Sequence, residues 1–156
     1  MKRILIIGTI MMMTPLASAD VTGVSSKISL LQQLQINLGI TVQQMRLPEQ
    51  VVSKLPVTND LEEVRPSFLA AWTQTTFLAC KRSIQSNKIP QLEKEEEIKN
   101  WIKNMTISSW GEEASKTETD ELFSATFTKN PDETPIHKMS LLCSLILSSP
   151  KVYFIY

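Results

Sequence analysis

Ser67–Ile84, SFLAAWTQTTFLACKRSI, is the stretch that decides the fold of this chain. Its large side chains recur at intervals of three and four residues, which is the period of an amphipathic helix. Lys81 and Arg82 fall in the last turns, where cations complement the helix dipole. The predicted buried face carries Leu69, Trp72, Thr76, Cys80 and Ile84, with Phe68 and Phe77 beside it.

The same period appears on both sides of this segment. We predict further helices at 26–38, 48–55, 91–105, 117–130 and 135–147. Asn59 or Asp60 is expected to cap a start before the central helix, and Pro66 to kink or split that helix near Arg65. Thr106–Lys116 is expected to be a polar connection. The sequence therefore predicts an all-α, single-domain bundle of about five helices over residues 20–150. An aromatic, short extended tail follows at 151–156.

Residues 1–19 have the three parts of a secretory signal peptide. Met1-Lys2-Arg3 is cationic, Ile4–Leu16 is apolar, and Ala17-Ser18-Ala19 is a small-residue cleavage site. The apolar run is shorter than the roughly 20 residues that span a bilayer. We therefore expect export to the periplasm or the medium, with no membrane span after cleavage and a mature chain beginning at Asp20.

Charge and composition exclude several classes of protein. The chain has 16 basic and 16 acidic side chains, so it has no strong positive field for nucleic acid. Two cysteines and His137 alone cannot complete a four-ligand zinc site. No glycine-rich phosphate loop, CxxC or HExxH motif is present. We thus predict no catalytic residue, no cofactor and no metal.

Cys80 and Cys143 are the most informative pair of residues. Both lie on the apolar face of a predicted helix in a chain that we expect to be exported. In an oxidising compartment such cysteines should pair. Closing the loop between residues 80 and 143 would stabilise the folded state by about 4 kcal/mol. The alternative is two buried free thiols that serve as small apolar side chains.

The expected function is binding, by an exported non-catalytic accessory protein of the cell envelope or the extracellular space. Unknown protein partners are expected to contact Trp110, Tyr153, Phe154 and Tyr156. The tail could add as a strand to a partner's sheet, or could instead fold onto its own helices.

Two other functions remain open from the sequence. One is a carboxylate-dependent hydrolase of cell-wall or other glycans, and its candidate residues are Glu112, Glu113, Asp120 and Glu121. The other is a secreted effector or inhibitor, which would present a large exposed apolar patch.

One further pattern is spread over residues 28–150. It consists of Leu55-Pro56, Asn59-Asp60, Phe68, Ala71, Leu78-Ala79-Cys80, Leu142-Cys143 and Leu147-Ser148-Ser149. These positions resemble an uncharacterised helical domain of exported proteobacterial proteins, sometimes found beside LamG-like modules. The resemblance implies a helical fold and favours pairing of the two cysteines, but it implies no activity. Lys81, Arg82 and Pro66 depart from the pattern, and no accompanying module is present.

Overall fold

Eight α-helices and two very short strands form the part of the chain that the computed structural model describes, residues 23–58 and 65–155. The helices are α1 (Lys27–Leu38), α2 (Val42–Met45), α3 (Glu49–Val52), α4 (Pro66–Gln85), α5 (Glu95–Trp110), α6 (Lys116–Phe123), α7 (Pro135–Leu147) and α8 (Pro150–Tyr153). A π-helical turn, Ser124–Thr128, continues α6. The predicted all-α fold is confirmed. The predicted signal peptide, the Asn59 and Asp60 cap and Tyr156 lie outside the described residues.

Helices α4 and α7 form the centre of the bundle and pack along most of their lengths. The Cys80–Cys143 disulfide joins them, with both cysteines fully buried and their Cα atoms 6.0 Å apart. The indole Nε1 of Trp72 donates a hydrogen bond to the Leu147 carbonyl, 3.2 Å away. The predicted disulfide is therefore confirmed, and it lies at the most extensive helix contact.

The two ends of the described chain meet in a small antiparallel pair of strands. Strand β1 (Gly23–Val24) lies beside β2 (Phe154–Ile155), with Gly23 opposite Ile155. The Ser25 backbone N–H also donates to the Tyr153 carbonyl. The tail thus begins as one helical turn and becomes extended only at Phe154.

Pro66 does not kink the central helix, so that part of the prediction is wrong, whereas the alternative of a break near Arg65 agrees with the extended backbone of Arg65. Pro66 is the first residue of α4, where a proline costs nothing because the first helical N–H groups have no partner within the helix.

The predicted bounds of α5 are also wrong, because the helix runs from Glu95 to Trp110. The Thr106 hydroxyl donates to the Lys103 carbonyl and the Ser109 hydroxyl to the Met105 carbonyl. These bonds satisfy the two hydroxyls within the helix. The helix continues until Gly111, whose φ of 76° ends it.

The buried face of α1 is only partly the one predicted. The spacing of Ile28, Leu31, Leu34 and Leu38 in the sequence predicts that these residues share the buried face, but the fully buried residues are Leu30, Leu34 and Leu38. Ile28 lies two positions before Leu30, about 200° around the helix, and is 68% exposed. Leu30, Leu34 and Leu38 are buried instead of Ile28 because their intervals of four residues place all three on the side of the helix that faces the core.

No helix in the described ranges is both long enough and apolar enough to cross a membrane.

Candidate functional site

The outer face of α1 carries two of the three most exposed large apolar side chains of the described chain, and the third is Val57. Ile28 is 68% and Ile36 is 82% exposed, and Gln32 lies exposed between them at intervals of four residues. We call these three residues the α1 stripe. Lys27 is the only charged residue of α1, so the stripe is apolar and amidic with no charge of its own. A solvated helix face normally carries charged side chains, so this one is unusual.

The α1 stripe is held on a rigid support. Behind it, Leu30, Leu34 and Leu38 are buried, and the Ser83 hydroxyl of α4 donates to the Leu38 carbonyl at 2.6 Å. At its C-terminal end, the Ser108 hydroxyl of α5 donates to the Asn37 side chain. The exposed isoleucines therefore stand on a helix fixed by two others.

Charge is divided unevenly along the described chain. We call residues 23–58 and 65–90 the N-terminal half, and residues 91–155 the C-terminal half. Among the described residues of the N-terminal half the one carboxylate is Glu49, whereas Asp60, Glu62 and Glu63 lie outside the described residues. The described basic residues of this half are Lys27, Arg46, Lys54, Arg65, Lys81, Arg82 and Lys88. Every ion pair found within the described ranges lies in the C-terminal half. The cations of the N-terminal half thus have no described carboxylate partner.

Lys151 is the centre of the largest charged cluster in the C-terminal half. Its ammonium lies 2.6 Å from Glu112 and 3.2 Å from Glu118, and 4.6 Å from the centre of the Trp110 ring. Partial burial lowers the pKa of Lys151, but the hydrogen bonds to the two carboxylates outweigh it, and the pKa lies above its ordinary value. Lys151 is therefore charged at neutral pH.

Glu118 also caps the start of α6. Partial burial raises its pKa, but hydrogen bonds from the backbone and hydroxyl of Ser115 and from Lys151 outweigh this effect, so the pKa lies below its ordinary value. Hydrogen bonds that favour the charged form explain the direction.

Three of the four carboxylates proposed for a hydrolase each form an ion pair with a different lysine. Glu112 pairs with Lys151, Glu113 with Lys103 at 2.9 Å, and Asp120 with Lys99 at 2.6 Å, whereas Glu121 is exposed. The hydrogen bond from Lys99 holds the pKa of Asp120 below its ordinary value. A general acid needs a raised pKa, so Asp120 is in the wrong environment for that role.

The predicted partner contacts are largely occupied by the chain itself. Trp110 ends α5, is half-buried, and donates from Nε1 to the Ile146 carbonyl at 2.9 Å. Tyr153 is only 3% exposed and meets the Phe68 ring edge-on at 5.5 Å. Phe154 is half-buried in β2, packed on Tyr153. The described tail folds onto its own chain.

His137 lies on the first turn of α7, with its ring 5.5 Å from Phe77. Its imidazole is half-exposed and 4.0 Å from Glu133. Within the described ranges, no three side chains of the metal-binding types come together at one place.

Sequence reasoning missed the α1 stripe, although a signal for it was present. Apolar residues at 28 and 36 are out of phase with those at 30, 34 and 38, so α1 has two apolar faces and only one can be buried.

A comparison of the chain with known protein families, characterised proteins and solved structures finds no match.

Proposed function

We propose that this chain is an exported, non-catalytic protein of the cell envelope or the extracellular space that binds another protein through the α1 stripe. The observation that carries the proposal is the exposure of Ile28 and Ile36 on a helix face without charge. Exposed apolar side chains cost free energy in water, and a partner that covers them recovers it.

The chemistry of the α1 stripe favours a protein over other partners. Surface helices that bind anionic lipid carry Lys and Arg on the polar face, but α1 has only Lys27, at its first position. Gln32 offers an amide donor and acceptor between two isoleucines, which suits a protein surface that mixes apolar and hydrogen-bonding groups.

The size of the α1 stripe suits a single segment of a partner. From Ile28 to Ile36 it is about 12 Å long, enough for one helix or strand. Each side of a stable interface buries about 800 Å², more than two isoleucines and a glutamine expose, so the partner must also contact residues around the stripe. The buried disulfide supports export, because such bonds persist in oxidising compartments.

The test is a photo-activatable cross-linking residue at Gln32, introduced into the full chain in the cells that produce it. We expect a covalent adduct with one other protein, and no such adduct from the same residue at Thr117, an exposed position on α6. The double variant Ile28→Gln, Ile36→Gln should abolish the adduct without changing the melting temperature.

Three results would overturn the proposal. They are no adduct from Gln32, an adduct of this chain with itself, and an adduct that survives replacement of both isoleucines.

A further inference from the structure

A polar depression of about 240 Å³ lies where the C-terminal ends of α2 and α4 meet. It opens to solvent and is lined by Gln44, Arg46, Arg82, Gln85 and Ser86. Two arginines thus line one small space, and no described carboxylate lines it. Like charges brought together in this way repel unless an anion lies between them.

Each arginine is placed there by the end of a helix. Arg46 caps α2 with a φ of 50°, a left-handed conformation that is uncommon for a side chain as large as arginine. Arg82 lies in the last turn of α4, where the helix dipole favours a cation.

Both glutamines that line the depression have their side-chain oxygens engaged. The Gln44 side-chain oxygen accepts from the Thr41 backbone N–H at 2.8 Å, and the Gln85 oxygen accepts from Arg82 at 3.3 Å. With the oxygens used, each amide group has its NH2 left for another acceptor. The lining is therefore rich in donors and poor in acceptors.

We propose that this depression binds a phosphate group. Two guanidiniums, two amide NH2 groups and a hydroxyl offer more donors than the two oxygens of a carboxylate can accept, whereas phosphate presents at least three acceptor oxygens. Arginine is also the side chain best shaped to hold phosphate by paired hydrogen bonds. This site is separate from the α1 stripe, so either proposal can fail without the other.

The phosphate has two possible sources, a free anion or a group on a longer phosphorylated chain. Lys81 and Lys88 are exposed, one immediately before Arg82 and the other two residues after Ser86. A polymer that follows this surface would contact these lysines, whereas a free phosphate in the depression would not.

The test is a titration of the oxidised protein with inorganic phosphate and with linear polyphosphate, followed by NMR of the arginine side-chain N–H groups. We expect phosphate, and not chloride at equal ionic strength, to shift the Arg46 and Arg82 signals. Arg82→Gln and Arg46→Gly should each weaken binding by about tenfold. Arg46→Gly should leave the melting temperature equal or higher, because glycine adopts the left-handed conformation readily.

Lys54→Gln is the matched control, because it removes an exposed cation that does not line the depression. Equal weakening by Lys54→Gln, or no phosphate-specific shift at either arginine, would overturn the proposal. If polyphosphate binds more tightly than inorganic phosphate, and this advantage is lost when Lys81 and Lys88 are replaced, the natural ligand is a phosphorylated polymer. If the affinity per phosphate is equal, the natural ligand is the free anion.

Discussion

Among the described residues, the C-terminal half of this chain forms ion pairs between its elements, whereas the N-terminal half forms none. In the C-terminal half, lysines from α5 and α8 reach carboxylates on neighbouring elements, as Lys99 reaches Asp120 and Lys151 reaches Glu118. In the N-terminal half, the cations have no carboxylate partner among the described residues, and α1 exposes two isoleucines.

The charged side chains of the C-terminal half pair with one another within the fold, whereas the described surface of the N-terminal half is available to a binding partner. Ion pairs between elements of the C-terminal half join α5 to α6, through Lys99 and Asp120, and α8 to α6, through Lys151 and Glu118. The α1 stripe and the Arg46–Arg82 depression contribute nothing comparable to the fold. Both proposed sites lie in the half whose described residues form no ion pair.

The largest expected effect comes from cutting the covalent link between the two halves. Replacing Cys80 and Cys143 together with alanine should lower the free energy of unfolding by about 4 kcal/mol, because the unfolded chain regains the freedom of a long loop. Urea unfolding monitored by circular dichroism measures the change. Wild-type protein reduced with dithiothreitol is the control. A double variant as stable as the oxidised wild type would contradict the prediction.

The next effect concerns the buried hydroxyl pair between the halves. The hydroxyls of Thr76 on α4 and Ser144 on α7 lie 2.8 Å apart. Thr76→Val and Ser144→Ala should each cost about 1 kcal/mol, and together less than the sum, because the second change removes a group already left without its partner. A double-mutant cycle in urea measures the coupling. Strictly additive costs would show that the pair is not coupled.

A smaller effect contrasts one lysine from each half. Lys151→Met should lower the free energy of unfolding by about 0.5–1 kcal/mol at neutral pH, after allowance for solvent screening. Lys88→Met, the matched change in the N-terminal half, should leave it unchanged, because Lys88 is exposed and has no ion pair within the described chain. Equal costs for both variants would remove the distinction between the halves.

The pH dependence of that difference follows from the pKa shifts. Glu118 has a lowered pKa, so its contribution is present above about pH 4.5 and is lost as the pH falls through the pKa of the folded protein. Lys151 has a raised pKa, so its contribution is present below about pH 10.5 and is lost as the pH rises further. The stability gap between wild type and Lys151→Met should therefore close at both extremes of pH.

The smallest effect is on a single carboxylate. Lys99→Met should raise the pKa of Asp120 toward its ordinary value, because the hydrogen bond from the ammonium is the largest cause of the lowered pKa. NMR titration of the side-chain carboxyl carbon of Asp120 measures this change. Asp132, which belongs to none of the ion pairs found within the described ranges, is the internal reference. An unchanged Asp120 titration would show that the pair does not persist in solution.

The order of the helices and the pairing of Cys80 with Cys143 could be predicted from the sequence. Both depend on local periodicity, since a repeat of three and four residues places large side chains on one helix face whatever the rest of the chain does. Residues Ser67–Ile84 form most of α4 for that reason. Cys80 on the apolar face of α4 is bonded to Cys143 on the apolar face of α7.

Only the tertiary structure decided which face of α1 is buried, where the tail lies and which charges pair. Local periodicity allowed two faces of α1, and the contact of the helix with α4 and α5 chose the one with Leu30, Leu34 and Leu38. Lys151 and Glu112 are 39 positions apart, and β1 pairs with β2 across nearly the whole chain. Such contacts depend on how helices pack, and no local pattern records that. The candidate sites are the surfaces which that packing left uncovered.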